Sequence, residues 1–303
     1  MGFKEHMATR GNSVSKLKEK IDKLNAQKQK TDERLWQPKV GKDGKFEALI
    51  RFLPGSDADN DPFVSVYRHD FRLPNGRWYW QVCATTIGFD YDDCPVCKWN
   101  SKFYDEKDEE GIEFVKKKSK RNLKYYSNIL VIKDTVNPEN NGKNFLYAYG
   151  PKIMNKILKA EEPSEIDESY VPFNAFDFID GANFHLIINR KEIGKDGEGK
   201  AIYSYDYDES KFQPAKPLFA GDEKKLEALY NKLYRLGEFT DPSLHPTPHK
   251  DENNPGKSLE EIFARALNGT TRTEKPTEEK PKQEEKPKQV PLEEDDIPET
   301  FSQ

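Results

Sequence analysis

Residues 69–97 are HDFRLPNGRWYWQVCATTIGFDYDDCPVC, a stretch that contains all three cysteines of the chain and one of its five histidines. His69, Cys83, Cys94 and Cys97 offer the thiolate and imidazole ligands that tetrahedral zinc prefers. The two residues between Cys94 and Cys97 allow a tight turn to direct both sulfurs at one ion. Because four protein ligands leave no position for a water nucleophile, we predict one zinc ion with a structural role.

Two other interpretations of the cysteines stay open. A Cys-x-x-Cys pair can be redox active, although such a pair usually follows a strand and opens a helix, whereas Tyr91-Asp92-Asp93 precedes this one. The thiols can also simply be buried. Another histidine could replace His69 as the ligand, but His185 alternates with apolar residues, which favours an ordinary strand residue.

The two ends of the chain differ in charge. The first thirty residues carry eight Lys or Arg against three acids, and Val14, Leu17, Ile21 and Leu24 follow helical spacing. This basic amphipathic arm can pack on its own domain, dock on a neighbouring protomer or contact nucleic acid.

The last thirty residues have ten acids against five lysines, and their Glu, Lys, Pro and Gln content is typical of disorder. Their acidic tip, residues 293–299, can bind basic partners, cover a basic groove on the same protein, or serve solubility alone.

Membrane segments are not expected. No apolar run approaches the roughly 18 to 20 residues needed to cross a bilayer, and the N-terminus lacks the apolar region of a signal peptide. Since all three cysteines are assigned to a metal, the sequence favours a soluble protein in a reducing, intracellular compartment.

Strand patterns dominate between the two ends. Residues 46–52 alternate between apolar and polar types, with Arg51 on the polar face. We predict further strands at residues 125–133 and 145–149, a hairpin from residues 183–189 and 201–205, and helices at about 152–160 and 222–236. The sum is a mainly β chain with some helices, an α+β class consistent with a small barrel decorated by insertions.

Basic and aromatic residues share the same segments. Residues 116–124 include six basic residues and no acid, and Tyr125 and Tyr126 follow directly. A DNA backbone needs positive charge along its path, and unpaired bases need flat rings on which to stack. Tyr203, Tyr205 and Tyr207 fall at period two, so an extended segment presents three rings on one face. This combination predicts single-strand binding, and no helix suited to reading duplex DNA accompanies it.

Signatures of enzymes are missing from the sequence. It lacks GxxxxGK[ST], GxSxG and HExxH, and the Cys94-Pro95-Val96-Cys97 pair lacks the upstream His-x-Glu of a deaminase. We therefore predict no catalytic activity. A zinc-containing RNA-binding, translation-repressing protein and a zinc-dependent nuclease are the alternatives.

Several motifs in colinear order carry a resemblance to a known family. They are IRFLP at residues 50–54, NGRWY at 75–79, DYDDCPVC at 90–97, NILVIKD at 128–134, GANF at 181–184 and YDESKF at 207–212. Over roughly residues 35–215 the chain resembles the single-stranded DNA-binding, helix-destabilising proteins of T-even-type bacteriophages.

The resemblance implies an OB-fold core with an inserted zinc subdomain, flexible termini, and DNA in the cleft between core and subdomain. It implies a basic arm at residues 1–30 for contact between protomers, a core at 31–270 with the zinc subdomain at about 63–115, and an acidic-tipped tail at 271–303. The tail would recruit replication and recombination proteins in the cytoplasm of an infected bacterial cell, where the protein would serve replication, recombination and repair.

Motif matches and the residue pattern together give the candidate DNA-contact residues. The basic ones are Arg51, Lys116, Lys117, Lys118, Lys120 and Arg121, and the aromatic ones are Tyr91, Tyr104, Phe114, Tyr125, Tyr126, Tyr147, Tyr149, Tyr205 and Tyr207.

Overall fold

The computed structural model describes residues 32–56, 61–72, 78–163, 169–195, 199, 201–250 and 258–267. The chain divides into two compact units, residues 1–36 and 37–303. The described part of the first unit contains a short strand, β1 (Leu35–Trp36), and an ion pair between Arg34 and Asp32. The predicted arm at 1–30 and the predicted tail from 271 onward lie outside the described residues, and the proposed domain boundaries stay predictions.

An antiparallel sheet forms the centre of the second unit. Its strands are β2 (Lys45–Phe52), β3 (Phe63–Arg72), β4 (Trp78–Val82), β5 (Arg121–Asp134), β6 (Asn144–Tyr149), β7 (Asn183–Lys195), β8 (Ala201–Asp206) and β9 (Lys211–Phe212). The described helices are α1 (Pro95–Asp105), α2 (Glu109–Lys118), α3 (Pro151–Glu161), α4 (Glu223–Tyr230) and α5 (Leu259–Leu267). The prediction of a mainly β α+β chain is confirmed.

The long strand β5 joins two parts of the sheet. Along one edge it pairs with β6, and along the other edge it pairs first with β3 and then with β2. β3 also pairs with β4, while β2 continues the sheet to β7, which pairs with both β8 and β9. The described strands therefore follow the order β6-β5-β2-β7-β8, with the β3–β4 hairpin as a branch on β5. An OB-fold barrel stays a prediction.

The core sits against β2, as the alternating pattern of residues 46–52 predicts. Phe46, Ala48, Ile50 and Phe52 are buried. The ring of Phe52 lies 5.5–6.3 Å from four other rings, which come from β6, β7, β9 and the segment before β7: Tyr149, Phe184, Phe212 and Phe176. Burial of one such side chain contributes roughly 1.5–3 kcal/mol to folding.

One predicted helix is shorter in the structure. Asp222 caps α4 by accepting a hydrogen bond from the Lys225 backbone N–H, and the helix ends at Tyr230 instead of near residue 236. Leu226 and Leu229 face the core from the helix, and Leu233 packs on the same apolar cluster from beyond the helix end. The apolar spacing therefore continues after the helical backbone has stopped, because both segments cover one cluster.

The segment between β2 and β5 contains structure that the sequence patterns did not reveal. The strands β3 and β4 form a hairpin, and α1 and α2 follow it. On β3, Arg68 forms an ion pair with Asp70, whose other carboxylate oxygen accepts a hydrogen bond from Asn122 on β5. Charged residues that would discourage a strand are thus paired on the sheet surface.

Among the helices that the structure describes, none has the length and apolar character needed to cross a membrane.

Candidate metal centre and nucleic-acid interface

Four separate positions of the fold bring the predicted metal ligands together. His69 lies on β3, Cys83 follows β4, and Cys94 and Cys97 lie at the start of α1. Their four ligand atoms lie within 4.8 Å of one another, and all four residues are buried. Cys94 occupies the N-cap position of α1, so the helix opening, and not a free turn, aims both sulfurs of the CPVC motif.

The distances suit a tetrahedral ion. Cys83 Sγ lies 3.7 Å from Cys94 Sγ and 3.6 Å from Cys97 Sγ, and His69 Nε2 lies 3.4 and 3.6 Å from the sulfurs of Cys94 and Cys97. With metal–sulfur bonds of about 2.3 Å, a tetrahedral ion separates its sulfurs by about 3.8 Å. The four residues therefore form a closed site that can hold one metal ion.

The electrostatics of the cluster favour a cation. Hydrogen bonding with Cys94 and Cys97 lowers the pKa of Cys83, whereas hydrogen bonding with Cys83 and Cys94 raises the pKa of Cys97. Burial opposes protonation of His69, but contacts with the Cys83 and Cys94 sulfurs outweigh it and raise its pKa to about 9. Sulfurs confined in this way favour a positive charge in the site, which a bound divalent ion would supply.

An aromatic cluster covers the metal centre. Phe71, Val96 and the three cysteines pack with Leu259, Phe263 and Ala266 of α5. The ring of Phe263 lies 5.5 Å from that of Phe71 and 5.2 Å from that of Trp99 on α1. The helix α5 is far from the metal ligands in sequence, but it packs directly around them.

A cation and two rings meet at the edge of this centre, and we call Tyr67, Tyr91 and Arg121 the cation–aromatic patch. The guanidinium carbon of Arg121 lies 3.5 Å from the ring centroid of Tyr67 and 5.6 Å from that of Tyr91. Tyr91 is 41% exposed, and its hydroxyl lies 3.2 Å from Ser101 Oγ. Arg121 Nη2 donates to Thr85 Oγ1 at 2.8 Å, while Arg121 Nε has no hydrogen-bond partner among the described residues. The patch offers a ring and a cation to a ligand.

The predicted basic loop is partly helical. α2 continues through Lys118, Ser119 ends it, and β5 begins at Arg121. Lys116 is exposed and Lys120 is partly exposed, whereas the side chains of Lys117 and Lys118 lie outside the described part. These positions place a helix end, not an open loop, next to the patch.

The two aromatic candidates from the intervening segment differ in exposure. Tyr104 on α1 is 46% exposed. Phe114 on α2 is half-buried, with its ring 5.8 Å from that of Trp99. Tyr104 can therefore meet a ligand with much of its ring, and Phe114 mainly packs α2 on α1.

The candidate tyrosines of β5 and β6 pack mostly in the core. Tyr126, Tyr147 and Tyr149 are buried, and Tyr126 stacks on Phe239 with ring centroids 4.1 Å apart. Tyr149 stacks on its half-buried cross-strand neighbour Tyr125 at 5.8 Å and on Tyr147 at 5.6 Å. Burial raises the pKa of Tyr149, whose hydroxyl pairs with Ser127 Oγ at 2.9 Å. Contact of these rings with bases stays a prediction.

Arg51 is also fully buried, although it lies on the face of β2 predicted to be polar. Its Nη2 donates to the carbonyls of Asp177 and Phe178 at 2.8 and 3.3 Å, and its Nε and Nη1 lack partners among the described residues. Burial lowers the pKa of Arg51 to about 10, against the opposing charge of Asp177. The side chain ties the segment before β7 to the sheet, and its contact with DNA stays a prediction.

The remaining candidates lie away from the metal centre in sequence. Tyr205 is on β8 opposite Arg190, and Tyr207 follows the end of that strand, both partly exposed. Arg190 lies over the neighbouring Tyr203, 4.5 Å from its ring centroid. The period-two segment therefore presents a second cation next to a ring.

Sequence reasoning missed four residues around the metal centre: Tyr67, Thr85, Asn100 and Ser119. Tyr67 lies two residues before His69 on one strand, so the period-two rule could have placed it on the face of the metal ligand. The other three depend on contacts between distant positions, since Thr85 bonds to Arg121, 36 positions away, and Asn100 and Ser119 bond to each other across 19 positions.

Comparisons with known proteins show the family of the chain. A family model described as "gp32 DNA binding protein like" matches residues 42–254. The single-stranded DNA-binding protein of Enterobacteria phage T4 is 36% identical over 235 residues, which cover 75% of this chain and 71% of the relative. That of Enterobacteria phage T2 is 35% identical over 215 residues, 69% of this chain and 64% of the relative. Because the family model spans well over half of the sequence, the chain belongs to the gp32-like family of DNA-binding proteins.

Proposed function

We propose that this chain binds single-stranded DNA without sequence preference and coats single strands as they form. The observation that carries the proposal is the cation–aromatic patch, in which Arg121 and an exposed Tyr91 lie together at the edge of a buried cluster. The relatives from phages T4 and T2 are named as single-stranded DNA-binding proteins, which supports the same function.

Each part of the patch has a physical role in this proposal. Arg121, its sequence neighbour Lys120 and the exposed Lys116 of α2 attract backbone phosphates, and displacement of their counterions favours binding. The rings of Tyr91 and Tyr104 stack on unpaired bases, with each stack contributing roughly 1–3 kcal/mol. Stacking of this kind needs bases that are not paired, so the protein stabilises melted DNA over duplex DNA and destabilises duplexes without ATP.

The metal in this proposal is one zinc ion held by His69, Cys83, Cys94 and Cys97. Three thiolates and an imidazole at tetrahedral spacing suit zinc, which has no redox chemistry and supports folding. A bound ion would fix the start of α1, and Tyr91 lies only three residues before Cys94. The metal therefore shapes the DNA-binding surface without contacting DNA.

The termini extend the proposal to partners. The basic arm at residues 1–30 would contact a neighbouring protomer and make binding cooperative. The acidic tip at 293–299 would recruit replication and recombination proteins and compete with DNA for basic residues. The protein would act in the cytoplasm of an infected bacterial cell, as the phage relatives suggest, in replication, recombination and repair.

Fluorescence anisotropy with labelled strands tests the proposal. The full zinc-loaded chain is titrated with oligo(dT), a mixed-sequence DNA strand, RNA of matched sequence and a DNA duplex, all of one length and at one salt concentration. We expect similar affinities for both DNA strands and weaker binding to the duplex. Tighter binding to RNA than to either DNA strand would favour an RNA-binding protein. Shortened products after incubation with Mg²⁺ or Zn²⁺ would favour a nuclease.

A further inference from the structure

The carbonyl oxygen of Ser119 lies against the metal ligand His69. It is 3.3 Å from His69 Nδ1, while His69 Nε2 faces the cysteine sulfurs. Asn100 Nδ2 donates to the same carbonyl at 2.9 Å, and Ser119 Oγ donates back to Asn100 Oδ1 at 2.7 Å. All three residues are buried. A carbonyl fixed in this way selects the imidazole tautomer that offers Nε2 to a metal.

The hydroxyl of Thr85 forms a second link to the metal ligands. Thr85 Oγ1 donates to Cys83 Sγ at 3.3 Å and accepts from Arg121 Nη2 at 2.8 Å. One hydroxyl therefore joins a metal-ligating sulfur to the guanidinium of the cation–aromatic patch. A hydrogen bond to a thiolate also draws charge from the sulfur and orients it.

Both links end on one short segment. Ser119 and Arg121 flank Lys120, and these residues join the end of α2 to the start of β5. The segment is thus attached to the metal centre at both ends, through His69 at one end and through Cys83 at the other. Its backbone position and the direction of its guanidinium depend on the placement of the two ligands.

We propose that Thr85 and the Asn100–Ser119 pair are positioning residues that couple the metal centre to the phosphate-binding segment 119–121. This inference rests on the proposed binding of single-stranded DNA and specifies how the metal centre supports it. Loss of either link lets the segment move relative to the metal ligands, and it weakens both metal retention and DNA binding. Outer hydrogen bonds of this kind typically change metal affinity by about 10- to 100-fold.

Three variants of the full chain test the coupling. Thr85→Val removes the hydroxyl at nearly constant volume, and Thr85→Ser keeps a hydroxyl at the same position. Ser119→Ala keeps the backbone carbonyl of residue 119 but removes the hydrogen bond from Ser119 Oγ to Asn100 Oδ1. Thr135→Val is the control, since Thr135 Oγ1 bonds to the Glu47 carbonyl and to neither link. Thermal melting confirms that each variant is folded.

Each variant is measured in three ways: the thiolate-to-metal absorption band of the Co²⁺-substituted protein, the rate of metal loss to a chelator, and oligo(dT) affinity. We expect Thr85→Val to shift the band, to speed metal loss about 10-fold, and to weaken oligo(dT) binding about 3- to 10-fold. Thr85→Ser should restore all three, and Ser119→Ala should change the last two in the same direction.

Unchanged metal loss and unchanged DNA affinity in both Thr85→Val and Ser119→Ala would overturn the inference. So would weaker DNA binding that Thr85→Ser does not restore. If the unaltered chain bound no oligo(dT), the proposed function would fail. The band position and the rate of metal loss would then still decide whether the two links act on the metal centre.

Discussion

His69 on β3 lies directly opposite Arg121 on β5, so a metal ligand and a candidate phosphate ligand are cross-strand neighbours. Such neighbours project from the same face of a sheet, and Tyr67, two residues before His69, shares that face. The β3–β5 register therefore brings the Tyr67 ring and the Arg121 guanidinium together at 3.5 Å beside the metal centre. A shift of one residue in this register would separate them.

Truncation of the exposed ring tests its role in stacking. We expect Tyr91→Ala to weaken oligo(dT) binding by about 1–3 kcal/mol, because one base loses its stacking surface. Fluorescence anisotropy measures the change. Tyr170→Ala is the matched control, since the hydroxyl of that partly exposed tyrosine bonds to the Ala160 carbonyl on α3. If Tyr91→Ala and the unaltered chain bind oligo(dT) with equal affinity, Tyr91 is not part of the DNA interface.

The salt dependence of binding tests the role of Arg121. Each phosphate contact to a single strand contributes about −0.7 to the slope of log K against log salt. We expect Arg121→Gln to make this slope shallower by about 0.7. Lys224→Gln, an exposed change on α4, should leave it unchanged. An unaltered slope in Arg121→Gln would show that this guanidinium does not displace counterions.

Metal removal should loosen the packing around the ligands and preserve the central sheet. Because structural metal binding adds directly to folding free energy, we expect chelation to lower the melting temperature. Hydrogen exchange should rise in β3, β4, α1 and α5, whereas β2 and β7 keep their protection. Metal analysis should find one zinc per chain. A melting curve and an exchange pattern that chelation does not change would argue against a bound structural ion.

Substitution of Phe263 tests whether α5 helps to retain the metal. This buried ring contacts Phe71 and Trp99, and replacement of a buried Phe by Ala typically costs about 3–5 kcal/mol. We expect Phe263→Ala to lower the free energy of unfolding by that amount and to speed metal loss to a chelator. Ala264→Ser, on the exposed side of the same helix, should change neither. If Phe263→Ala is destabilised but loses metal at the same rate as the unaltered chain, α5 contributes to packing and not to metal retention.

Local patterns in the sequence were sufficient for several elements. The alternation in residues 46–52 predicted β2, and Pro151 with the apolar spacing after it predicted α3. The metal ligands were found because cysteine and histidine have few structural uses at such spacing. The strand β3 was missed because its charged residues are paired with one another, which the sequence does not display.

Local sequence patterns did not predict which of the aromatic candidates are exposed. A tyrosine suits both a base-stacking surface and a half-polar core, so spacing alone did not separate exposed Tyr91 from buried Tyr126. Tyr149 is enclosed because β5 and β6 pair with their rings together. The links from Thr85 and Ser119 to the metal ligands likewise depend on contacts between distant elements.

Photo-cross-linking tests directly whether single strands bind at the cation–aromatic patch. Oligo(dT) carrying 5-iododeoxyuridine is irradiated with the zinc-loaded chain, and mass spectrometry of the digested product locates the attached residues. We expect attachment at Tyr67 or Tyr91, and we expect unlabelled oligo(dT) to compete away the product at whichever of the two residues is attached. Attachment confined to other surfaces, such as the β7–β8 ribbon, would contradict it.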